Sequence, residues 1–292
     1  MSKHAYLIIA HDKWGQLQFL LDILNDSRND FFLLVDAKAK EFDKERFMKR
    51  CPVKNLFILS PVNIYWGDYS QIEAELRLLK ASTNEGKYSY YHLISAVDMP
   101  LKNQDEIHSF FEKNQGMEFV DFDSYGETSS AFERSGYYYF MQRIIGRRRK
   151  HPLKLVRDFI IKMEKVFKVN RVEGLEHYLG KGANWFSITD DFARYIVNNE
   201  EFVRNHFKET YCADEVFLQT LLKLSPYASN WYGFRNPNIE FQNLRYTDWN
   251  RGKPYTFSKD EFFECCSREE YMFARKFAGD VVDEKIKMYL EC

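Results

Sequence analysis

The stretch "YSYYHLISAVDMPL", residues 88 to 101, ends an apolar run in Ser95 and delivers a lone carboxylate, Asp98, just before Met99-Pro100. An acid at the end of a strand can serve as one ligand of a metal ion. Further along, "VDFDSYG" holds Asp121 and Asp123 two residues apart. Alternation in a strand places both on one face, where they could hold Mn²⁺ or Mg²⁺ against a diphosphate; a solvated strand edge shows the same pattern. Asp214 and Glu215 open the helical pattern "YCADEVFLQTLLKL" (211–224). Carboxylates there suit the helix dipole, which is the plain reading of the pattern. Arg245 in "LRYTDW" and Arg275-Lys276 in "FARKF" are, taken alone, three of 42 cations that solvent would satisfy.

The elements that must position these groups alternate over the first hundred residues. "AYLIIAH" (5–11), "DFFLLVDAK" (30–38), "VKNLFILS" (53–60) and "YYHLISAVD" (90–98) read as buried strands. Between them lie helical patterns: "WGQLQFLLDILN" (14–25), "KEFDKERFMKRC" (40–51) and "DYSQIEAELRLLKASTN" (68–84), with Ile72, Leu76, Leu78 and Leu79 on one broad face. Strand and helix in turn, with short connections, predict a doubly wound and mostly parallel sheet. Such sheets bind ligands at the carboxyl ends of their strands. Those ends carry His11 and Asp12, Asp36, Ser60, and Ser95 to Asp98. No G-x-G-x-x-G or Walker loop follows the first strand, so a dinucleotide or P-loop cradle lacks its backbone amides. Later, "GANWFSITDDFARYIVNN" (182–199) reads as a strand turning into a helix capped by Thr189 or Asp190.

Composition narrows the class. Apolar residues make up 45% and aromatics 17%, enough for a sizeable core, with only 7 Pro and 13 Gly. A net charge of −1 argues against a nucleic-acid binder. Five cysteines (Cys51, Cys212, Cys265, Cys266, Cys292) show no CxxC spacing and read as free thiols in a reducing compartment. The first strand is too short for a signal-peptide core and no run of eighteen apolar residues occurs, so a soluble or membrane-peripheral protein is expected.

Residues 143 to 171 break the charge balance, with eleven Lys/Arg against Asp158 and Glu164. Leu155, Phe159, Met163 and Val166 recur at helical spacing, predicting a basic amphipathic helix. Its apolar face would pack on the core, or meet an anionic lipid surface.

"HLISAVDMPL" resembles a signature of glycosyltransferase family 14, the core-2/I-branching β-1,6-N-acetylglucosaminyltransferases and peptide xylosyltransferases. In order along the chain, "NIYWGDYSQIEAE", "GANWFSITDDFARYI", "ADEVFLQTLL", "LRYTDW" and "FARKF" are similar to further blocks of that family. The resemblance spans about residues 5 to 277. It implies a GT-A fold and inverting transfer of a sugar, UDP-GlcNAc being the expected donor, with no metal or other cofactor. One domain over 1–292 is expected, with 1–105 as the nucleotide-sugar half and 106–292 as the acceptor and catalytic half.

The resemblance assigns Glu215 as the base that takes the acceptor proton and Arg245 with Lys276 as the diphosphate clamp; Arg275 fits under a one-residue slip. Asp214 would cap the helix or orient Glu215. His11, Asp36, Trp66 and Asp98 would line the nucleotide and donor pocket, with Gly67, Tyr69 and Ser70 beside them. Trp185, with Phe186 next to it, and Asp248 and Trp249 would shape the acceptor side. Core packing accounts for any of these tryptophans equally well.

Unlike animal relatives, the protein is expected to lack an N-terminal anchor and paired cysteines, and no family block is recognisable between about 125 and 180. A bacterial enzyme of the cytoplasm, or of the inner membrane face, is therefore expected, building a cell-surface polysaccharide on a glycan or lipid-linked acceptor. Two rivals remain: a metal-dependent GT-A transferase using Asp98 or Asp121/Asp123, and a non-catalytic carbohydrate- or membrane-binding protein on the same fold.

Overall fold

The computed structural model describes residues 2–148 and 150–291; Arg149 of the basic run and Cys292 lie outside the described residues. Along the chain come β1 (His4–Ala10), α1 (Trp14–Ile23), β2 (Asn29–Val35), α2 (Lys44–Lys49), β3 (Leu56–Ile58), α3 (Ser70–Glu85) and β4 (Tyr90–Ser95). Then follow β5 (Asp98–Pro100), α4 (Gln104–Lys113), β6 (Phe119–Val120), α5 (Ser129–Ser135), α6 (Gln142–Ile145) and α7 (Pro152–Val166). The remaining elements that matter to the site are β7 (Phe186–Thr189), α8 (Asp190–Asn198), α9 (Glu200–Phe207), α10 (Phe217–Leu224), β8 (Arg245–Thr247) and β9 (Phe273–Arg275).

The main sheet has the order β3-β2-β1-β4-β7-β6. Its first four strands are parallel, with Ile9 of β1 facing both Leu34 and Ser95, while β7 runs antiparallel to both neighbours. Alternate residues of each central strand face opposite layers. Tyr6, Ile8, Phe31 and Leu33 meet the side that carries α1 and α4, whereas Ala5, Leu7, Phe32 and Leu34 meet α3, α8 and α10. Burial on both faces is why these strands read as unbroken apolar runs. Each fully buried Leu, Ile or Phe contributes about 1.5–3 kcal/mol. The alternating pattern thus yields the mostly parallel mixed α/β sheet that it predicts.

The difference lies after β4. The run read as one strand over 90–98 stops at Ser95, turns, and restarts as β5 in a second sheet of order β5-β9-β8. Asp98 pairs with Arg275 in register and Thr247 with Arg275 from the other side. Thr189 caps α8 as expected, its hydroxyl accepting from Phe192 N. Asp214 caps nothing: it lies in a 3-10 turn, Ala213–Glu215, ahead of α10.

A buried histidine cluster sits where β1, β4 and α4 meet. His92 Nδ1 lies 2.7 Å from Ser187 Oγ and its Nε2 3.1 Å from His4 Nδ1; His4 stacks on His108, whose Nε2 donates to Asn29 Oδ1 at 3.0 Å. Burial pulls all three imidazoles down, His108 to about 4. The unfolded chain binds these protons near pH 6.5 and the folded chain only well below it. Their contribution to stability is therefore complete above about pH 6.5 and lost as pH falls from there towards 4. We expect His108→Gln to lose roughly 1 kcal/mol less than the unmodified protein between pH 7 and pH 5 in urea unfolding. Equal losses would show that the fold does not hold His108 neutral.

Candidate functional site

The turn after β4 is built by its own acid. Asp98 Oδ2 accepts from Ser95 N at 2.9 Å, and Oδ1 accepts from Ser95 Oγ and from Arg275 Nε, both at 2.9 Å. Asp98 is 1% exposed, so this is a buried ion pair with both carboxylate oxygens engaged. Such a carboxylate has little charge left to offer a cation. Arg275, fixed by that bond, lies with its guanidinium 3.9 Å from the ring centre of Trp185, and both line a large cleft.

Among the described residues Arg245 is the most enclosed cation. Its Nη2 donates to the carbonyls of Leu93 and Phe186 and to Ser187 Oγ, and its Nη1 to Asn243 O, while the buried Nε has no partner among the described residues. Burial lowers its pKa, opposed by the nearby Asp98 carboxylate. Arg245 therefore ties β4, β7 and β8 together, with its terminal nitrogens spent on the protein itself. Lys276 is half-buried at the cleft wall, its ammonium pulled down by burial and by Arg275 and Arg147.

The acid end of the cleft is assembled from three loops. Gly67 N donates to Gln71 Oε1 at 2.6 Å, Gln71 Nε2 donates to Asp214 Oδ2 at 2.7 Å, and Cys212 N donates to Gly67 O. Gly67 has φ +70 and a Cβ there would stand 2.9 Å from Gln142 Nε2, which accounts for the glycine in "YWGDYS". On the other side Gly182 N donates to Glu215 O at 3.0 Å, and a Cβ on Gly182 would stand 1.9 Å from Asp121 O. Only glycine lets these backbones approach so closely.

The two adjacent acids are consequently unlike. Asp214 is buried, and burial plus the Glu215 charge push its carboxyl well above the ordinary range; Glu75 of α3, fully buried, is raised by burial and then by the Asp214 charge. The side chain of Glu215 is 37% exposed to the cleft, with Oε2 accepting from Arg134 Nη1 of α5 at 2.6 Å. Nothing in the sequence pointed to Arg134, 81 residues away.

Asp121 and Asp123 both reach the same cleft, with separate partners. Asp121 accepts from Ala183 N and Gln242 N and is pushed up to about 7 by burial; Asp123 is paired with Lys181. Among the described residues no three of His, Cys, Asp and Glu converge as a metal shell.

The cleft encloses about 1130 Å³ and brings together Glu215, Arg245, Lys276, Trp66, Trp185 and Trp249 from the sequence-derived set. Trp249 is exposed at its rim, and Arg147 lies over Trp66 at 5.2 Å. Nine Lys/Arg and five Asp/Glu line it, so a chain of net charge −1 has a locally positive cavity. That bias suits an anionic ligand. Arg147 and Arg148 belong to the basic run that the sequence assigned wholly to a surface helix.

Other expected residues stand apart. His11 is exposed, 3.7 Å from Asp12. Asp36 accepts from Lys38 N and Ile64 N and pairs with Lys38, knitting the loops after β2 and β3. Asp248 is taken up by Asn250 N and by Arg251, and shapes the turn below Trp249. Tyr69 and Ser70 lie at the start of α3, where Ser70 Oγ accepts from Tyr65 N. Phe186 is fully buried in the core.

The family model for the core-2/I-branching enzymes matches residues 4–272. Xylosyltransferase 2 of Rattus norvegicus is 24% identical over 97% of this chain, and that of Mus musculus 23% over the same share. The chain spans about a third of the length of these curated relatives. Among solved structures, mouse xyloside xylosyltransferase 1 in its apo form aligns over 94% of this chain and 97% of its own, at 7% identity and a TM-score of 0.38.

The geometry makes Asp98 a structural partner of Arg275 before anything else. Asp98→Ala strands a buried guanidinium, and we expect it to cost about 3–5 kcal/mol in chemical unfolding. The double change Asp98→Ala/Arg275→Met should recover part of that loss. A single variant that loses under about 1 kcal/mol would show the pair is not a buried tie.

Proposed function

The chain belongs to the core-2/I-branching enzyme family, and from that premise we propose that it is an inverting glycosyltransferase of GT-A type, using a UDP-sugar and no metal ion. The observation that carries this reading is a half-exposed Glu215 sharing one cleft with Lys276, Arg275 and Arg147. Glu215 takes the proton of an acceptor hydroxyl as its oxygen attacks the anomeric carbon. The bond from that carbon to the diphosphate breaks on the opposite face, its electron pair leaving with UDP. Lys276 meets the charge that develops, with Arg275 behind it and Arg147 across the cleft. Arg134 orients Glu215 through Oε2, which leaves Oε1 for the acceptor.

In this reading Arg245 braces the clamp, and its role as a direct phosphate contact passes to Lys276 and Arg275. Asp36 and Asp98 shape the donor pocket through the turns they hold, while Trp66 and His11 are left to meet the nucleoside or sugar. Trp185 and Trp249 offer the faces on which an acceptor sugar packs. Residues 1–292 act as one domain, with a donor half up to 105 and an acceptor half beyond it. The setting proposed is the cytoplasm and the assembly of a cell-surface polysaccharide. GlcNAc is the proposed sugar; the xylosyltransferase relatives make xylose the second reading.

Glu215→Gln separates binding from chemistry. We expect transfer from UDP-GlcNAc or UDP-xylose in EDTA to fall by about 10²–10⁴, with donor affinity changed only slightly. Full activity in Glu215→Gln would remove it as the base. Activity that appears only with Mn²⁺ would return the metal role to Asp121 and Asp123.

A further inference from the structure

We propose that the outer face of α7 docks this protein on an anionic lipid surface. Pro152 at the first turn and the His151 ring, whose Nδ1 accepts from Leu153 N, start the helix. The sequence places Leu155, Phe159 and Val166 on one stripe, and such a stripe ordinarily packs on a core. In the structure it points outward: Leu155 is 76% exposed, Phe159 64% and Val166 65%, and Phe167 just beyond is 73% exposed. The side that faces the body buries Ile161 and, unusually, Arg157, whose Nη1 donates to Gln142 Oε1 at 2.9 Å.

Four large apolar side chains on a helix and its end are an uncovered patch, the kind that marks an interaction surface. Its surroundings choose the partner. Lys150, Lys162 and Lys168 are exposed around the same helix, and Lys165, also exposed, pairs with Glu133 of α5 at 2.7 Å. The segment's two acids are already engaged, Asp158 by Arg157 at 2.9 Å and Glu164 by Tyr138 N at 2.9 Å. Lysine is depleted at protein interfaces, whereas an apolar stripe flanked by lysines matches acyl chains below and anionic headgroups beside them. No helix among the described residues is long and apolar enough to cross a membrane, so the contact is a surface one. The inner side of the same helix contributes Lys154 and Arg157 to the wall of the 1130 Å³ cleft. Docking through α7 therefore brings the cleft to the lipid surface, within reach of a ligand carried there.

The test is co-sedimentation of the full chain with phosphatidylcholine vesicles, with and without phosphatidylglycerol, and it relies on no step of the reaction. We expect at least about tenfold more binding when phosphatidylglycerol is present, weakening as salt is raised. Leu155→Ser/Phe159→Ser should lower binding about tenfold, and Lys162→Glu/Lys168→Glu should abolish the preference for anionic lipid. Neither pair contributes to the cleft, and unchanged circular dichroism melting would establish that each variant folds. Equal binding to both vesicle types, or undiminished binding by the serine variant, overturns the proposal. So does a dimer in sedimentation velocity that the serine variant dissociates, because the patch would then be a self-interface.

Discussion

The buried pair between Asp98 and Arg275 is the constraint on which the cleft rests. Two charges so enclosed are tolerated only with good geometry and further hydrogen bonds. Here the register of β5 against β9 sets them opposite each other, and Ser95 supplies the remaining donors. Through Ser95 at the end of β4, which donates to Asp98, the pair ties the central sheet to the small second sheet. It thereby fixes three things at once: the turn after β4, the guanidinium over Trp185, and the backbone from which Lys276 projects. Arg245 repeats the device one layer deeper, using backbone carbonyls of β4 and β7 in place of a carboxylate.

At the opposite wall the chemistry is one of unequal acids. Gly67, Gln71 and Gly182 force three loops into contact, and the cost of burial falls on Asp214 and Glu75, whose carboxyls are driven towards the neutral form. Glu215 is the member of the group that keeps access to the cleft, held by Arg134. At this end of the cavity an accessible Glu215 thus faces a bank of cations. This is the division of labour that base-assisted displacement of a diphosphate requires.

The sheet was legible because its strands are buried on both faces, so periodicity and apolar runs alone mark β1, β2 and β4. The ends of elements were harder to read: nothing in "HLISAVDMPL" tells that Ser95 leaves one sheet and Asp98 begins another, since that depends on β9, 177 residues away. Ordered blocks led to Glu215, Lys276 and the three cleft tryptophans. They could not show that the Arg245 guanidinium is consumed by carbonyls, or that Arg134 reaches Glu215, because both follow from tertiary approach. Residues 143 to 171 divide in a way no periodicity reveals. Arg147, Arg148, Lys154 and Arg157 turn into the cleft, while the apolar stripe, for which the sequence left both core and surface open, turns out.

The proposed function requires cations of this chain to hold a diphosphate without a metal. Calorimetric titration of UDP in EDTA, into the unmodified protein and into Lys276→Gln, tests it most directly. UDP should bind in EDTA, and the variant should bind it about tenfold or more weakly, the loss of one charge-assisted contact. Binding that requires Mn²⁺, or that is indifferent to Lys276, would contradict it.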